Sequence, residues 1–366
     1  MKIKLGFFTG ARSEYGIARS FLRNIDNDRK FDLSIFVNGM HLLKKFGYTA
    51  SEIINDGFSI DSLIKTYTED GDEKVFEFTN SVEKIYKTLL KKELDAIYII
   101  GDRIEAYAAA LAAHFLKIFI IHSGGGTITA GCVDNIYRNN ITHIANLHLA
   151  DSLKHYHQIL RLKNDDKKNV CFVGSTSVDA IIKFKQKVVS ITDVFPTIRP
   201  REFALMTFHP VTSIQEPIHK IMNACIKNII SCGFDILITY PNNDEGHIDI
   251  INVIDKWSEH ENLFVSKSLG VESYYSALND CAFLIGNSSS GVIEAPYFNK
   301  SILNIGKRQD GRDKDIGVID VSAEINIVLK SIKKGFEQGW PTYECNYLYG
   351  DGNSVQKRKK AILESL

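Results

Sequence analysis

The residues of this chain that could do chemistry stand directly after short apolar runs. Arg12, Asp102 and His209 each follow such a run within a few positions. Guanidinium and imidazole groups bind phosphate, and a carboxylate accepts protons, so this set suits chemistry on a phosphate-bearing substrate. Two of these residues also have a structural explanation, because Asp102 could cap a helix and a single histidine such as His209 is often structural.

The strongest local signal is the segment LIGNSSSGVIEAP at 284–296, where an apolar run leads into three serines and a glycine. Serine hydroxyls and backbone amides at a helix start can cradle a phosphate. The residues expected to form this cradle are Ser288, Ser289, Ser290 and Gly291. Glu294 is expected on the first turn of the helix, where it either accepts hydrogen bonds from a ribose diol or simply interacts with the helix dipole.

Two further loops carry polar residues after apolar runs. The segment NIGKRQDGR presents Arg308 and Arg312, which either bind a pyrophosphate or are solvated. The segment YPNNDEG presents Tyr240 and Asn242, which either orient a polar ligand or only form a turn. Near the amino terminus, Gly10 permits a tight turn ahead of a helix that begins near Arg12.

The elements that must position these residues follow a regular rhythm. Apolar runs rich in β-branched residues alternate with stretches of helical length, and this rhythm restarts after a lysine-rich crossing at 183–201. The first set of runs is 3–8, 33–37, 96–100, 118–121, 147–149 and 170–173, and the second is 203–207, 235–240, 263–265, 281–285 and 301–305. The pattern predicts an α/β protein with two doubly wound parallel sheets, which bind ligands at the carboxyl ends of their strands.

Composition excludes several classes of protein. The 366 residues include 44 basic and 44 acidic ones, so the positive field of a nucleic-acid binder is missing. The most apolar stretch, 106–121, is too short and too polar to span a bilayer, and no secretion signal is evident. We therefore expect a cytoplasmic protein with no nucleic-acid or membrane partner. No HExxH pattern or paired-cysteine spacing indicates a metal site.

Seven ordered segments together resemble the hydrolysing UDP-N-acetylglucosamine 2-epimerases of sialic acid and legionaminic acid synthesis. The segments are TGARSEYG, GDRIEA, FHPVT, YPNNDEG, GNSSSGVIEAP, NIGKRQDGR and YGDGN. The resemblance implies a GT-B-like fold, with two Rossmann-like domains facing across a cleft. It predicts a sugar-side domain at 1–180, a nucleotide-binding domain at 181–350, and a helix at 351–366 that returns to the first domain.

The resemblance also assigns roles to residues. Diphosphate ligands are Arg12, His209, Ser289 and Ser290, with Arg308 and Arg312 closing the site; Glu294 binds the ribose, and Asp102, Asp134 and Arg138 belong to the sugar side. The implied reaction eliminates UDP across C1 and C2 to a glycal and adds water, which releases a C2-inverted amino sugar. The catalytic candidates are Asp102, Asp134 and His209. No cofactor is implied, the partner is a UDP-sugar, and a homodimer is expected.

The chain departs from these relatives in one region. Thr127, Asn135 and Asn139 stand where the family usually has Glu, Glu or Asp, and His. Threonine and asparagine do not shuttle protons near neutral pH. Three hypotheses follow: a 2-epimerase using the remaining groups, a nucleotide-sugar hydrolase or glycosyltransferase that leaves C2 unchanged, and a catalytically weakened UDP-sugar-binding protein.

Overall fold

The chain forms two compact units. The computed structural model describes residues 2–44, 47–67, 73–128, 134–187, 189–211, 216–241, 246–267 and 269–366. The first unit comprises Met1–Thr127, Val133–Ala180 and Tyr349–Leu366, and the second comprises Ile128–Cys132 and Ile181–Leu348. Asn242 and Cys132 lie outside the described residues.

The first unit is built on a seven-stranded parallel sheet. Its strands are β1 (Ile3–Thr9), β2 (Phe31–Asn38), β3 (Ser62–Ile64), β4 (Ala96–Ile100), β5 (Phe119–Ser123), β6 (Leu147–Ala150) and β7 (Val170–Phe172). They pair in the order β3-β2-β1-β4-β5-β6-β7. The order reverses between β1 and β4, which are neighbours with Leu5 opposite Ala96. Such a reversal opens a crevice for ligands at the carboxyl ends of the two strands.

Helices cover both faces of this sheet. They are α1 (Arg12–Asp26), α2 (Ala50–Asn55), α3 (Lys74–Leu89), α4 (Ile104–Phe115), α5 (Asp134–Ile144), α6 (Leu153–Leu162), α7 (Thr176–Phe184), which leads into the second unit, and, from the chain's end, α13 (Ser354–Ser365). Alternate strand residues point to opposite faces. Phe7 therefore packs with Phe21 of α1 and Ile362 of α13, whereas Phe8 packs with the alanines of α4.

The second unit contains a six-stranded parallel sheet. Its strands are β8 (Phe203–Thr207), β9 (Asp235–Thr239), β10 (Leu263–Ser266), β11 (Phe283–Gly286), β12 (Ser301–Ile305) and β13 (Val318–Val321). Its helices are α8 (Ile218–Ser231), α9 (His247–Trp257), α10 (Gly270–Asp280), α11 (Ser289–Ile293) and α12 (Ile325–Gln338). The strand order is β10-β9-β8-β11-β12-β13, so the reversal falls between β8 and β11. Short 3₁₀ turns occupy Gly39–Leu42, Ile191–Asp193 and Ala295–Phe298.

Two details differ from the sequence-based expectations. Strands β3 and β13 were not predicted, because Ser62 and Asp320 break up their apolar residues and only the last residue of each strand is buried. Glu294 was expected on the first turn of a helix. Instead, α11 ends at Ile293, and Glu294 lies between this helix and the 3₁₀ turn at Ala295–Phe298. Pro296 explains the early end, since proline lacks the N–H that a continuing helix needs. Within the described part of the chain, no helix is long and apolar enough to cross a membrane.

Candidate active site

In the first unit, the predicted acid Asp102 is held by an arginine from another helix. Asp102 follows β4, and its side chain is 25% exposed, whereas the Arg138 side chain on α5 is 4% exposed. One guanidinium nitrogen of Arg138 donates to Asp102 Oδ2. A carboxylate beside a buried guanidinium is stabilised in its charged form. The structure therefore brings together two residues that the sequence separates by 36 positions.

The same arginine contacts two of the three positions at which the sequence differs from the family that it resembles. Arg138 Nη1 donates to the Thr127 carbonyl at 2.5 Å and to Asn135 Oδ1 at 2.6 Å. The Thr127 hydroxyl lies 3.4 Å from His155 Nε2. Asp134 is the first residue of α5, a position that favours a carboxylate. Asp102, Asn135 and Thr127 thus surround one guanidinium.

The loop after β1 carries Gly10 and Arg12. A Cβ added at Gly10 would lie 2.8 Å from Glu105 Cβ, so only glycine fits between the loop and α4. Arg12 is the first residue of α1, and its exposed guanidinium pairs with Glu52 at 3.0 Å. The guanidinium is therefore accessible to solvent while one carboxylate restrains it.

Two buried glutamates lie beneath this loop. Glu14 Oε2 accepts the N–H of Gly10 at 2.7 Å and that of Ala11 at 3.2 Å, while Glu105 Oε1 pairs with Arg103 at 3.2 Å. Burial, together with the charge of Glu105, raises the pKa of Glu14 to about 7. Glu14 therefore orders the loop from below and exchanges a proton near neutral pH.

A buried histidine fixes the backbone ahead of Asp102. His122 Nε2 donates to the Gly101 carbonyl at 2.9 Å, and its Nδ1 lies 3.3 Å from the Thr142 hydroxyl. Burial lowers the pKa of His122 to about 4. The ring is neutral at physiological pH, and it holds the turn that presents Asp102.

In the second unit, a cavity of about 360 Å³ lies at the carboxyl ends of β8, β9 and β11. Its lining includes five of the ten predicted site residues of this unit, namely His209, Tyr240, Ser288, Ser290 and Glu294. The lining residues are Thr207, His209, Thr239, Tyr240, Lys267, Leu269, Gly270, Val271, Tyr274, Tyr275, Ser288, Ser290 and Glu294. A histidine, serine hydroxyls and a carboxylate thus meet in one cavity with aromatic side chains.

Two tyrosines of α10 orient the polar groups of this cavity. The Tyr274 hydroxyl is hydrogen-bonded to Ser290 Oγ. The Tyr275 hydroxyl bonds to the Glu294 carboxylate, and burial followed by the charge of Glu294 raises the pKa of Tyr275. Both phenols therefore stay protonated and direct the serine and the carboxylate.

The remaining predicted and described residues of this unit, Ser289, Gly291, Arg308 and Arg312, do not line the cavity. Gly291 is buried in α11, which begins at Ser289. Arg308 Nη1 donates to the Asn287 carbonyl at 3.1 Å, and the Arg312 amide donates to the Gln309 carbonyl at 3.4 Å. Both arginines therefore belong to one loop that is tied to the end of β11.

Several residues that shape these sites were not predicted as functional. They are Glu14, Glu105, His122, His155, Lys267, Asn287 and Gln309. Four of them stand inside the segments that carry the resemblance: Glu14 in TGARSEYG, Glu105 in GDRIEA, Asn287 in GNSSSGVIEAP and Gln309 in NIGKRQDGR. Among the described residues, no group of three His, Cys, Asp or Glu side chains could hold a metal ion.

A second concavity, of about 820 Å³, lies at the amino-terminal ends of the strands of the first sheet. Its lining includes Lys2, Asp95, Phe119 and Asn146, at the amino-terminal ends of strands. Ligands of doubly wound sheets bind at the carboxyl ends, so this concavity is not the candidate site.

Comparisons with known proteins show what this chain is similar to. Among curated proteins, a UDP-N,N'-diacetylbacillosamine 2-epimerase (hydrolyzing) of Legionella pneumophila is 28% identical over 357 residues, which are 97% of this chain and 94% of that protein. A UDP-N-acetylglucosamine 2-epimerase of Neisseria meningitidis is 24% identical over 98% of this chain and 94% of its own.

Solved structures show the same fold. A UDP-GlcNAc 2-epimerase from Neisseria meningitidis, solved with UDP-GlcNAc, superposes with a TM-score of 0.80 at 16% identity over the whole of both chains. The S. aureus MnaA-UDP structure gives 0.79 at 18% identity and covers 100% of this chain and 98% of that one. The prediction of two Rossmann-like α/β domains in a GT-B-like fold is confirmed. A family model described as UDP-N-acetylglucosamine 2-epimerase matches residues 23–363, so the chain belongs to this family.

Proposed function

We propose that this protein is a hydrolysing 2-epimerase of a UDP-linked N-acetylated amino sugar. The observation that carries the proposal is the cavity of the second unit, where His209, Ser290 and Glu294 meet at the reversal of the strand order. The descriptions of relatives from Legionella and Campylobacter as hydrolysing 2-epimerases support the reaction type. The released products would be UDP and a free sugar with inverted configuration at C2.

The second unit would bind the nucleotide. Serine hydroxyls and cationic side chains suit a diphosphate, and Glu294, held by Tyr275, is placed to accept hydrogen bonds from a ribose diol. The proposed diphosphate ligands are Arg12, His209, Ser288, Ser289, Ser290, Arg308 and Arg312. Lys267 Nζ lies 5.9 Å from the centroid of the Tyr240 ring. Together these side chains offer a cationic and an aromatic group for the base.

The first unit would act on the sugar. In the first step a base takes the C2 proton, and the C1–O bond breaks with its electron pair passing to UDP, which leaves a glycal. In the second step water supplies a hydroxyl to C1, and a proton is returned to C2 from the opposite face. Asp102, positioned by Arg138, and Asp134 are the proposed proton-transfer groups there, with His209 supporting the departing diphosphate.

A second candidate function is cleavage of the sugar-diphosphate bond with C2 unchanged. It is favoured by Thr127 and Asn135, which contact the Arg138 guanidinium directly and cannot carry protons near neutral pH. Water or another acceptor would then attack C1 as UDP departs. Such a reaction needs the diphosphate ligands of the second unit but no strong base at C2.

The two functions are separated by one experiment in heavy water. The protein is incubated with UDP-N-acetylglucosamine or its diacetamido analogue, and the sugar and UDP are followed by proton NMR. Epimerisation predicts free sugar with inverted C2 and deuterium at that carbon. Release of sugar with its C2 hydrogen and configuration retained would support the second function, and tight UDP binding with no product would contradict both.

The matched variant is Asp102→Asn, which keeps the size of the side chain and an oxygen for Arg138. We expect it to abolish deuterium incorporation while UDP affinity stays within about twofold, because the nucleotide ligands lie elsewhere.

A homodimer that works in the cytoplasm on sialic or legionaminic acid precursors is also proposed. Light scattering of the purified protein tests the dimer, and a monomeric mass with full activity would contradict it.

A further inference from the structure

A buried asparagine clamps the backbone of the predicted anion ligand His209. Asn287 directly follows β11 and is 0% exposed. Its Oδ1 accepts the His209 N–H at 2.7 Å, and its Nδ2 donates to the His209 carbonyl at 2.9 Å. This two-point pairing satisfies both backbone groups of His209, so the position of its side chain depends on Asn287.

The backbone of the same residue ties down the arginine loop. The Asn287 carbonyl accepts Arg308 Nη1 at 3.1 Å and Gln309 Nε2 at 2.8 Å, and Gln309 is 2% exposed. A carbonyl oxygen has two lone pairs, and both are used here. The loops that follow β8, β11 and β12 therefore meet at one residue.

The backbone at Gly286 lies close to the backbone at Thr207, which is the last residue of β8. Gly286 has φ +146°, and a Cβ on it would lie 1.9 Å from the Thr207 carbonyl oxygen. The Asn287 N–H donates to that carbonyl at 3.1 Å. Only glycine permits this approach of β11 to β8, which brings the Asn287 amide within reach of His209.

The side chain at position 287 has to accept one hydrogen bond from the His209 backbone and donate another to it. Aspartate would place a charged oxygen against the His209 carbonyl, and an aliphatic side chain would leave a buried N–H and C=O unpaired. We propose that Asn287 is the positioning residue of the diphosphate site, holding His209 and Arg308 in register without touching the ligand. This role rests on the proposed function.

The positioning role predicts a selective loss. In Asn287→Ala the His209 backbone loses both of its bonds to the side chain at position 287, whereas the backbone carbonyl there can still accept from Arg308. Tyr240, Lys267 and Glu294 keep their places around the nucleoside. We expect the affinity for UDP to fall at least tenfold and the affinity for uridine to change less than twofold. A general loss of structure would lower both affinities by the same factor.

Calorimetry with UDP and NMR titration with uridine measure these affinities in the full chain, with thermal unfolding recorded for each variant. The matched control is Asn304→Ala, which removes another buried asparagine of this sheet, bonded to Asp320 at 2.7 Å, and should preserve both affinities. If Asn287→Ala does not fold, Gln309→Leu provides the same test and should lower UDP affinity about threefold.

Combining variants tests whether Asn287 acts through its neighbour. Adding Asn287→Ala to His209→Ala should weaken UDP binding by less than the product of the two single effects, because the Asn287 side chain bonds to His209. Unchanged UDP affinity in Asn287→Ala, or equal losses for UDP and uridine, would overturn the positioning role alone. A wild-type protein that binds no UDP would instead overturn the proposed function, and the diphosphate site with it.

Discussion

Acidification from pH 7 to pH 5 should lower the free energy of unfolding by about 3 to 4 kcal/mol, because three histidines are buried uncharged. Burial lowers the pKa of His41 and His122 to about 4 and that of His148 to about 3. In an unfolded chain the same rings take up protons near pH 6.5. Between these values the unfolded state binds more protons, so stability is lost as pH falls through this window.

Glu14 opposes this effect. Its pKa of about 7 in the fold lies above the usual glutamate value, so the folded state holds a proton that the unfolded state releases. Glu14 therefore adds about 2 kcal/mol between pH 7 and pH 5, while each histidine subtracts about 2 kcal/mol. Averaged over this pH range, the unfolded state binds a little more than one proton in excess, which accounts for the magnitude stated above.

The variant His148→Leu tests this reasoning. Among the described residues, neither ring nitrogen of His148 has a hydrogen-bond partner, so an aliphatic side chain costs nothing there. Urea unfolding at pH 7 and pH 5, followed by circular dichroism, should show a loss of only about 2 kcal/mol in the variant. The exposed His157 provides the control, and His157→Leu should behave as the wild type does. Equal losses in wild type and His148→Leu would refute the assignment.

Three further outcomes follow from the described contacts. Arg12→Ala should weaken UDP binding about tenfold by calorimetry; unchanged affinity would remove Arg12 from the proposed site. The double variant Thr127→Glu with Asn135→Glu should increase deuterium incorporation at C2 in the NMR assay, and no gain would show that the missing acids are not the limiting feature. Arg358→Met should lower the free energy of unfolding by about 3 kcal/mol in urea, because it leaves the half-buried Asp151 without its cation; a loss below about 1 kcal/mol would contradict this.

Much of the fold was predictable because parallel strands leave a simple pattern. The run 96–100 became β4 with the predicted bounds, since a strand covered on both faces is apolar throughout. The early end of α11 was also visible in the sequence, because Pro296 stops a helix near the preceding residue. The error at Glu294 came from giving the serine motif more weight than this proline.

The candidate sites were less predictable because their geometry depends on packing between distant segments. The pairing of Arg138 with Asp102 requires α5 to lie against the end of β4, and no spacing in the sequence reports that. Asn287 stands in a predicted motif, but its bonds to His209 and Arg308 depend on the strand order of the second sheet. Motifs thus pointed to the loops of the candidate sites, whereas only tertiary contacts show which side chains hold others in place.

The cluster around Arg138 implies that restoring the acids has two effects of opposite sign. Arg138 now faces one carboxylate, from Asp102, and two uncharged partners, so their charges cancel. Glutamates at 127 and 135 would add two negative charges, and like charges make a neighbouring carboxylate a stronger base. The same charges repel an anionic substrate. Thr127→Glu with Asn135→Glu should therefore raise the rate of deuterium incorporation at C2 while raising the KM for the UDP-sugar, whereas a KM that falls together with a gain in rate would contradict this electrostatic explanation.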